Sequence, residues 1–460
     1  MKPLEFCAAF SVALLAAGFT PRVAAADPVG PALPRDSLAA SKIQHVLVIL
    51  QENHTFDNYF GTFPGTDNLS SAQPVPTDPR KPDSPIVKPF HLGEARTPDL
   101  NHAGVSAHAA YNSGKMDGFV AAQSDRKLPG RFALGYYDGT DLPYYWNLAR
   151  NYVLADRFFS SALGGSLINH QYWVSAQSSG TGEAIPVNGV NLPTIFDRLE
   201  GANASWKFYV KNYDPSLNFR HIKGDNPKDS QLAWIPPLTM PSFVDNPQRM
   251  SRIVDLGHLY TDLARGELPA VSYLVQGGTS EHPPGHVVNG QNATVSIIDA
   301  IMRSQLWRNT AIVLSWDDWG GWYDHVAPPQ VDHDGYGFRV PALIVSPYAK
   351  KGYVLHETAD FTSILKFIER LHGLSPMTAR DANAYDLMGA FDFQQRPRRP
   401  DPPPVPGFKP LQAHGPSTDR LIEMYGAVGG LSLTFVALAL AGRRRRWNWR
   451  PGQVVRRWRA

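Results

Sequence analysis

Two adjacent acids, Asp317 and Asp318, directly follow an apolar run that predicts a buried strand. Adjacent carboxylates at a strand end repel each other unless a metal ion or a shared proton separates them. The segment WDDWGGWYDH, residues 316–325, continues with a Gly-Gly pair and ends in Asp-His. Because open α/β folds bind ligands at the carboxyl edge of the sheet, the pattern indicates a cation site there. A solvated pair of loop acids is the alternative interpretation.

Two further segments place chemically active side chains after predicted strands. Glu52 and Asn53 follow the apolar run 43–50, and Ser166 lies in a Gly-Gly-Ser turn between a predicted strand and a helix. Carboxylate and amide oxygens are hard ligands, so with the aspartate pair they predict a divalent ion: Mg²⁺, Ca²⁺, Mn²⁺ or Zn²⁺. A metal would lower the pKa of the Ser166 hydroxyl and make it a nucleophile. The alternative for Ser166 is a helix N-cap.

Three histidines add to these candidates. His325 ends the WDDWGGWYDH segment, His282 lies in SEHPP after the strand predicted at 271–275, and His102 lies in the polar stretch 99–120. Each is available to hold the oxygens of a transferred group or to protonate a leaving group. Each one alone is equally compatible with a loop or surface histidine. Their occurrence together with the candidate ligands, at strand ends of one predicted sheet, favours an active site.

Strands and helices alternate along the chain. Strands are predicted at 43–50, 153–159, 206–209, 271–275, 311–316 and 340–345, and helices at 144–151, 193–199, 293–307, 362–372 and from Tyr172 onward. This alternation predicts an α/β fold, a three-layer α/β/α sandwich with a central, mostly parallel sheet.

Both ends of the chain carry signals for export and membrane attachment. Residues 1–26 combine a positive start, a short apolar middle and a small-residue cleavage site, which predicts a signal peptide before a catalytic domain at 27–393. Residues 394–424 predict a Pro-rich spacer, 425–442 a transmembrane helix, and 443–460 an Arg-rich cytoplasmic tail. We therefore expect an exported protein, anchored by its C-terminus at the periplasmic or cell-surface face of the cytoplasmic membrane. A buried C-terminal helix and a sorting tail that is processed off are the alternatives.

Charge and cysteine content narrow the possible partners. The whole chain carries +3, but residues 443–460 contribute +8 and residues 1–26 contribute +1, so the exported body is acidic at −6. An acidic body argues against nucleic acid as a partner. The only cysteine, Cys7, lies in the predicted signal peptide. A processed chain without cysteine makes a sulfatase less favoured, because such enzymes convert a cysteine into their nucleophile.

Six motifs occur in the order found in a known family. The segment IQHVLVILQENHTFDNYFGTFPG is followed by GKMDGF, the Gly-Gly-Ser166-x-x-Asn-His block, SEHPP, WDDWGGWYDH and GFRVPALIVSPYA. In these motifs the chain resembles the bacterial phosphoesterase family, which contains non-haemolytic phospholipases C and related acid phosphatases. The resemblance covers roughly residues 41–375. It departs from the family at Ser166, where many members have threonine, and at Ile168–Asn169–His170, where Pro-Asn-Arg is usual.

The resemblance implies a fold like that of the alkaline-phosphatase superfamily and a division of roles among nine residues. It implies that Glu52, Asn53, Asp317 and Asp318 hold a metal ion and that Ser166 is the phosphorylated nucleophile. It further implies that His102 and His282 contact the transferred phosphoryl group, with Asp117 and His325 as supporting residues.

The substrate class stays open at this point. A membrane-tethered phospholipase C and an acid phosphatase acting on monoesters would share this site. The phospholipase C interpretation would require an aromatic cage that binds a quaternary ammonium group. The candidate residues for this cage are Trp316, Trp319, Trp322, Tyr136 and Tyr137. These aromatic residues are alternatively explained by packing. From a different class, the body is also compatible with a catalytically inactive, membrane-anchored binding module of the same fold.

Overall fold

The computed structural model describes residues 29–123, 129–180, 184–222 and 230–401. The predicted signal peptide, transmembrane helix and basic tail lie outside these residues, as does the spacer beyond Asp401. In the part of the chain that is described, no helix is both long enough and apolar enough to cross a bilayer.

Eight strands form one central sheet. In chain order they are β1 (His45–Gln51), β2 (Val153–Ala155), β3 (Trp206–Lys211), β4 (Ile253–Asp255), β5 (Val271–Gln276), β6 (Thr310–Trp316), β7 (Ala342–Val345) and β8 (Tyr353–Leu355). Their order across the sheet is β8-β2-β7-β6-β1-β5-β3-β4. Only β7 pairs antiparallel to both of its neighbours, and the other pairings are parallel. The predicted mostly parallel sheet is confirmed.

Helices pack on the sheet in separate groups. They are α1 (Ser37–Lys42), α2 (Phe56–Phe60), α3 (Gly104–Tyr111), α4 (Phe119–Ala122), α5 (Pro143–Asn151), α6 (Ser166–Ser175), α7 (Ile195–Gly201), α8 (Ser230–Trp234), α9 (Pro241–Val244), α10 (Pro247–Met250), α11 (Gly257–Arg265), α12 (Val287–Arg303), α13 (Phe361–His372) and α14 (Ala379–Asn383). One group joins α6 to α13 and α13 to α1 and α14, and another joins α12 to α5 and α11. The three-layer α/β/α sandwich is confirmed.

Shorter elements decorate this frame. Two-stranded ladders pair Val75–Pro76 with Ile86–Val87 and Phe90–His91 with Gly135–Tyr136. Single 3₁₀ turns occur at Leu69–Ser71, Asn112–Gly114, Gly130–Leu134, Pro236–Thr239, Trp307–Asn309 and Met388–Ala390.

The central strands explain why the site has a rigid base. β5 and β6 are buried along their whole length, and β1 is buried at every position after His45. Strands in a parallel sheet are covered on both faces, which is why they are nearly continuous runs of Val, Ile and Leu. Gln51, the last residue of β1, is in register with Trp316, the last residue of β6. The residues that follow these two strands therefore emerge side by side.

Three predicted elements differ from the structure by more than two residues at one end or both. The strand predicted at 153–159 ends at Ala155, and the helix predicted at 293–307 covers Val287–Arg303. The helix predicted from Tyr172 begins at Ser166, six residues earlier. The first residues of the predicted Pro-rich spacer pack on the catalytic domain. Arg398 donates hydrogen bonds to the carbonyl oxygens of Asn151 and Ala349.

Candidate active site

The carboxyl ends of β1 and β6 bring the predicted ligands together. The backbone N–H of Asp317 donates to the Gln51 carbonyl oxygen at 2.9 Å, continuing the ladder by one residue. The backbone N–H of Asn53 donates to Asp317 Oδ1 at 2.8 Å, and Asn53 adopts a left-handed conformation with φ of 64°. Glu52, Asn53, Asp317 and Asp318 are all fully buried, with at most 1% of each exposed. The acid pair is therefore not a solvated loop.

Ser166 lies next to this buried group, at the start of a helix. Its Oγ donates to Asp318 Oδ2 at 3.2 Å, and the side chain is half-buried. Gly165 occupies the N-cap position, so the alternative role of Ser166 as a helix N-cap is wrong. Asn169 holds the preceding turn, because its Oδ1 accepts from the Ala162 N–H at 2.9 Å and its Nδ2 donates to the Gly165 carbonyl oxygen at 3.0 Å. The hydroxyl is thus presented to the acids by a braced turn.

His102 and His282 form the rim beside the buried acids. Their rings are 5.6 Å apart and nearly perpendicular, at 75°. His102 Nε2 lies 3.4 Å from Asn53 Nδ2, and its Nδ1 lies 2.9 Å from the Leu100 carbonyl oxygen. His282 Nδ1 lies 2.7 Å from the carbonyl oxygen of Pro283. Both rings are half-buried, so their remaining polar atoms are within reach of a ligand.

A third histidine, His170, lies at the bottom of the site. Its ring is fully buried, and Nε2 is 3.3 Å from Glu52 Oε1 and 3.4 Å from Asp317 Oδ2. Burial alone would lower the pKa of His170, but the adjacent carboxylates of Asp317 and Glu52 outweigh it and raise the pKa to about 9. Burial and the charge of Asp317 raise the pKa of Glu52. Burial lowers the pKa of His282, but the charge of Glu52 outweighs this and the net shift is upward.

The donor set fits a bound cation. Three buried oxygens, Glu52 Oε2, Asn53 Oδ1 and Asp317 Oδ2, have no hydrogen-bond partner in the protein. Buried polar atoms are nearly always satisfied, and an unsatisfied charged group costs several kcal/mol. Oxygen atoms of carboxylates and amides that lack any donor are the arrangement a divalent ion would complete. Glu52, His170 and Asp317 also offer ligand atoms that all lie within 4.8 Å of one another.

The structure does not bring Asp117 and His325 into this cluster. His325 Nδ1 lies 2.6 Å from Asp57 Oδ2, and its Nε2 lies 3.2 Å from Asp67 Oδ1. Asp117 accepts from Asn112 Nδ2 at 2.6 Å. Both side chains line one separate cavity of about 170 Å³. Their supporting role in catalysis stays a prediction.

The tryptophans of the WDDWGGWYDH segment are packing residues. Trp316, Trp319, Trp322 and Tyr137 are each at most 1% exposed, and of the five aromatic residues considered for a cage only Tyr136 is partly exposed. Trp319 Nε1 donates to the His102 carbonyl oxygen at 3.2 Å, so this residue braces the rim from behind. A cage for a quaternary ammonium group built from these residues is wrong, because a ring without exposed surface has no face for a ligand.

Glu281 connects the three strand ends that carry the site. Its carboxylate accepts from Tyr59 Oη (2.8 Å), Trp316 Nε1 (3.0 Å), Tyr145 Oη (2.5 Å) and Gln51 Nε2 (3.1 Å). Burial raises the pKa of Glu281 to about 7. Gln51 precedes Glu52, Trp316 precedes Asp317, and Glu281 itself precedes His282. One buried carboxylate therefore ties together the segments that supply two ligands and a rim histidine.

Sequence reasoning missed three residues of this site. His170 lies in the Gly-Gly-Ser166-x-x-Asn-His block, four residues after Ser166, and Glu281 directly precedes His282 in SEHPP. Asp99 lies three residues before His102. Asp99 Oδ1 is 3.6 Å from His102 Nδ1. A histidine four residues after a candidate nucleophile, on the same face of a helix, was the available signal for His170.

The fold and the site together define an α/β sandwich with a serine beside a buried, oxygen-rich ligand set. The model of the phosphoesterase family matches residues 43–375. Phospholipase C A of Mycobacterium tuberculosis is 28% identical over 417 residues, covering 78% of this chain and 79% of that protein. Hemolytic phospholipase C of Pseudomonas aeruginosa is 27% identical, covering 76% of this chain and 56% of that one. Non-specific phospholipase C6 of Arabidopsis thaliana is 26% identical, with coverages of 84% and 80%.

Among solved structures, a protein in the alkaline phosphatase superfamily from Vibrio parahaemolyticus matches with a TM-score of 0.36 and 12% identity, covering 78% of this chain and 71% of that one. The family match spans well over half of the chain. The chain belongs to the phosphoesterase family and is, on that basis, a phosphoric ester hydrolase.

Proposed function

We propose that the protein is a metal-dependent phosphoric ester hydrolase in which Ser166 is the nucleophile. The observation that carries this proposal is the Ser166 hydroxyl, which is half-buried and donates to Asp318 Oδ2 at 3.2 Å beside a buried set of unsatisfied oxygens. Asp318 Oδ2 is within hydrogen-bond distance to accept the proton that the serine must lose. A nucleophile with an adjacent base at hydrogen-bond distance is the arrangement that covalent catalysis requires.

Glu52, Asn53, Asp317 and Asp318 are the residues that would hold the divalent ion. When bound, such an ion lowers the pKa of a nearby hydroxyl and stabilises negative charge on phosphoryl oxygens. Asp317 Oδ1 accepts from the N–H groups of Asn53 and Asp318, and Asp318 Oδ1 accepts from the Gly320 N–H, so backbone donors orient these two carboxylates before any ligand arrives. All four side chains are buried at the strand ends.

The reaction that these residues support has two steps. Ser166 Oγ forms a bond to phosphorus while the ester P–O bond breaks, and the leaving oxygen takes a proton from the rim. His282 suits this second task, because the charge of Glu52 keeps its pKa raised. Water then attacks phosphorus and gives a proton to His282, the Oγ–P bond breaks, and the proton held by Asp318 returns to Ser166 Oγ. His102, together with the backbone N–H groups at the start of α6, faces the phosphoryl oxygens.

The substrate is a phosphate monoester or a phospholipid headgroup ester. The relatives named phospholipase C support the phospholipid. The buried tryptophans remove one argument for it, since they do not supply a choline cage. The catalytically inactive binding module is disfavoured. All five residues required for catalysis, the four predicted metal ligands and the serine, are present and lie close together.

Hydrolysis of a phosphomonoester and of a phosphocholine ester, with and without a chelator, tests the proposal. We expect Ser166→Ala to reduce kcat/KM by at least about 10³-fold on the preferred ester, since the covalent step is lost. Ser296→Ala, an exposed serine of α12, is the matched control and should be unchanged. Undiminished activity in Ser166→Ala would remove the mechanism, and the ratio of rates on the two esters decides the substrate class.

The proposal includes the location of the enzyme. Residues 1–26 support export, and residues 425–442 followed by arginines support a C-terminal anchor with the catalytic domain outside the membrane. Fractionation of cells that express the full chain, compared with a chain ending at Asp401, measures this. Equal release of both forms into the soluble periplasmic fraction would refute the anchor without affecting the catalytic proposal.

A further inference from the structure

His170 is buried beside the carboxylates of Glu52 and Asp317 but makes no hydrogen bond to either. It lies four residues after Ser166 in α6, so both side chains project from the same side of the helix. The imidazole is fully buried, and Trp173 packs edge-on against it at a centroid distance of 5.5 Å. Neither ring nitrogen has a hydrogen-bond partner. Burying an imidazole without a hydrogen bond at either nitrogen costs free energy, so its retention needs a reason.

The contacts of Nε2 are close but lack hydrogen-bond geometry. Nε2 is 3.3 Å from Glu52 Oε1 and 3.4 Å from Asp317 Oδ2, but it makes a hydrogen bond to neither oxygen. An imidazolium serving only as a counter-charge would direct an N–H at one of these oxygens. Atoms that coordinate one tetrahedral zinc ion with bonds of about 2.0–2.1 Å are separated by about 3.3 Å. The two distances from Nε2 match this separation, as coordination of a common ion requires.

We propose that His170 is a nitrogen ligand to the same cation as Glu52 and Asp317, and that it biases the site toward zinc or a similar transition-metal ion. The inference rests on the proposed function, in which these carboxylates hold a divalent ion. Imidazole nitrogen suits Zn²⁺ and other first-row transition metals, whereas Mg²⁺ and Ca²⁺ prefer ligand sets made of oxygen. Glu52, Asn53 and Asp317 alone do not discriminate among the four ions predicted from the sequence, and His170 does.

Metal binding by the full-length protein tests this independently of catalysis. The purified protein is stripped with a chelator, and its affinities for Zn²⁺, Mn²⁺, Mg²⁺ and Ca²⁺ are measured by competition with a chromophoric chelator. We expect wild type to bind Zn²⁺ at least about 100-fold more tightly than Mg²⁺ or Ca²⁺. His170→Gln should weaken Zn²⁺ binding by at least about 10-fold to 100-fold and change Ca²⁺ binding by less than threefold. His333→Gln, the same change at an exposed position, should have no effect.

X-ray absorption of the zinc-loaded wild type provides a second readout that does not depend on a variant folding. We expect a zinc–nitrogen shell at about 2.0–2.1 Å with the multiple scattering of an imidazole ring, lost in His170→Gln. An all-oxygen shell in wild type, or Zn²⁺ affinity in His170→Gln within twofold of wild type, would overturn the assignment of His170. If wild type binds none of the four ions and hydrolyses its ester equally well after stripping, the metal-dependent function fails instead.

Discussion

Gly320→Ala tests whether Gly320 of the WDDWGGWYDH segment shapes the loop that is proposed to bind the metal ion. Gly320 has a left-handed φ of 58°, and its N–H donates to Asp318 Oδ1 at 2.7 Å. A Cβ at this position would overlap the Asn53 carbonyl group and lie 2.6 Å from both the carbonyl carbon and the Cβ of Asn53. Gly320 therefore makes room for the Asn53 backbone, whereas a Cβ at the neighbouring Gly321 would meet the Leu100 side chain.

The size of the effect follows from that distance. Carbon atoms in contact are about 3.5 Å apart, so the alanine methyl would displace Asn53 by about 1 Å. A shift of that size breaks the 2.8 Å hydrogen bond from the Asn53 N–H to Asp317 Oδ1, a bond to a charged acceptor that contributes about 1.5–3 kcal/mol. At about 1.4 kcal/mol per factor of ten, we expect kcat/KM and metal affinity to fall by about 10-fold to 100-fold.

Gly335→Ala is the matched control for backbone strain. Gly335 has nearly the same φ of 61°, but an added Cβ meets only the amide end of the flexible Gln330 side chain. Both variants carry the left-handed penalty of about 1 kcal/mol, so the difference between them isolates the overlap with Asn53. The assays are steady-state hydrolysis of a chromogenic phosphate ester and titration of the stripped protein with zinc. If the two alanine variants agree within threefold in both assays, the explanation for Gly320 is wrong.

Two further predictions concern buried carboxylates. Burial, followed by the charge of Asp381, raises the pKa of Glu369 from 4.5 to about 9. The folded state therefore keeps a proton that the unfolded state releases, and stability is fully present below about pH 4.5 and lost as the pH rises toward 9. Glu369→Gln should be neutral at pH 4 and stabilise by up to about 3 kcal/mol at pH 7, measured by denaturant unfolding; a pH-independent difference would contradict this. Glu281→Gln should lower kcat by about tenfold, measured by steady-state kinetics, because either amide orientation sets its NH₂ against an N–H of Trp316 or Gln51; unchanged kinetics would rule out the role of Glu281 as a connector.

The strand ends of the site were predictable because local sequence determines them. The strands predicted at 43–50 and 311–316 match β1 and β6 to within two residues, and the acids that follow them lie at the carboxyl edge of the sheet as predicted. The parallel register of the two strands then brings Glu52 and Asp317 together, because it places them side by side. This part of the site required only hydrophobic patterning and the rule that ligands bind at the carboxyl edge.

The roles of His170, His325 and the tryptophans were not predictable in the same way. Burial depends on what the other layers cover, and a tryptophan in a ligand-binding motif has the same identity whether it faces a substrate or a core. His325 pairs with Asp57, whose helix follows β1, although the two residues are 268 positions apart. Contacts at that separation leave no periodic signal in the chain.

By itself, the sequence determined the α/β class, the family motifs and the identity of the residues that end β1 and β6, because strand periodicity and terminal polar groups are local properties. Only the tertiary structure decided that His170 joins Glu52 and Asp317, and that Gly320 is required by the approach of Asn53. Both depend on distances between segments brought together by the order of strands in the sheet, and that order is a property of the whole packed chain.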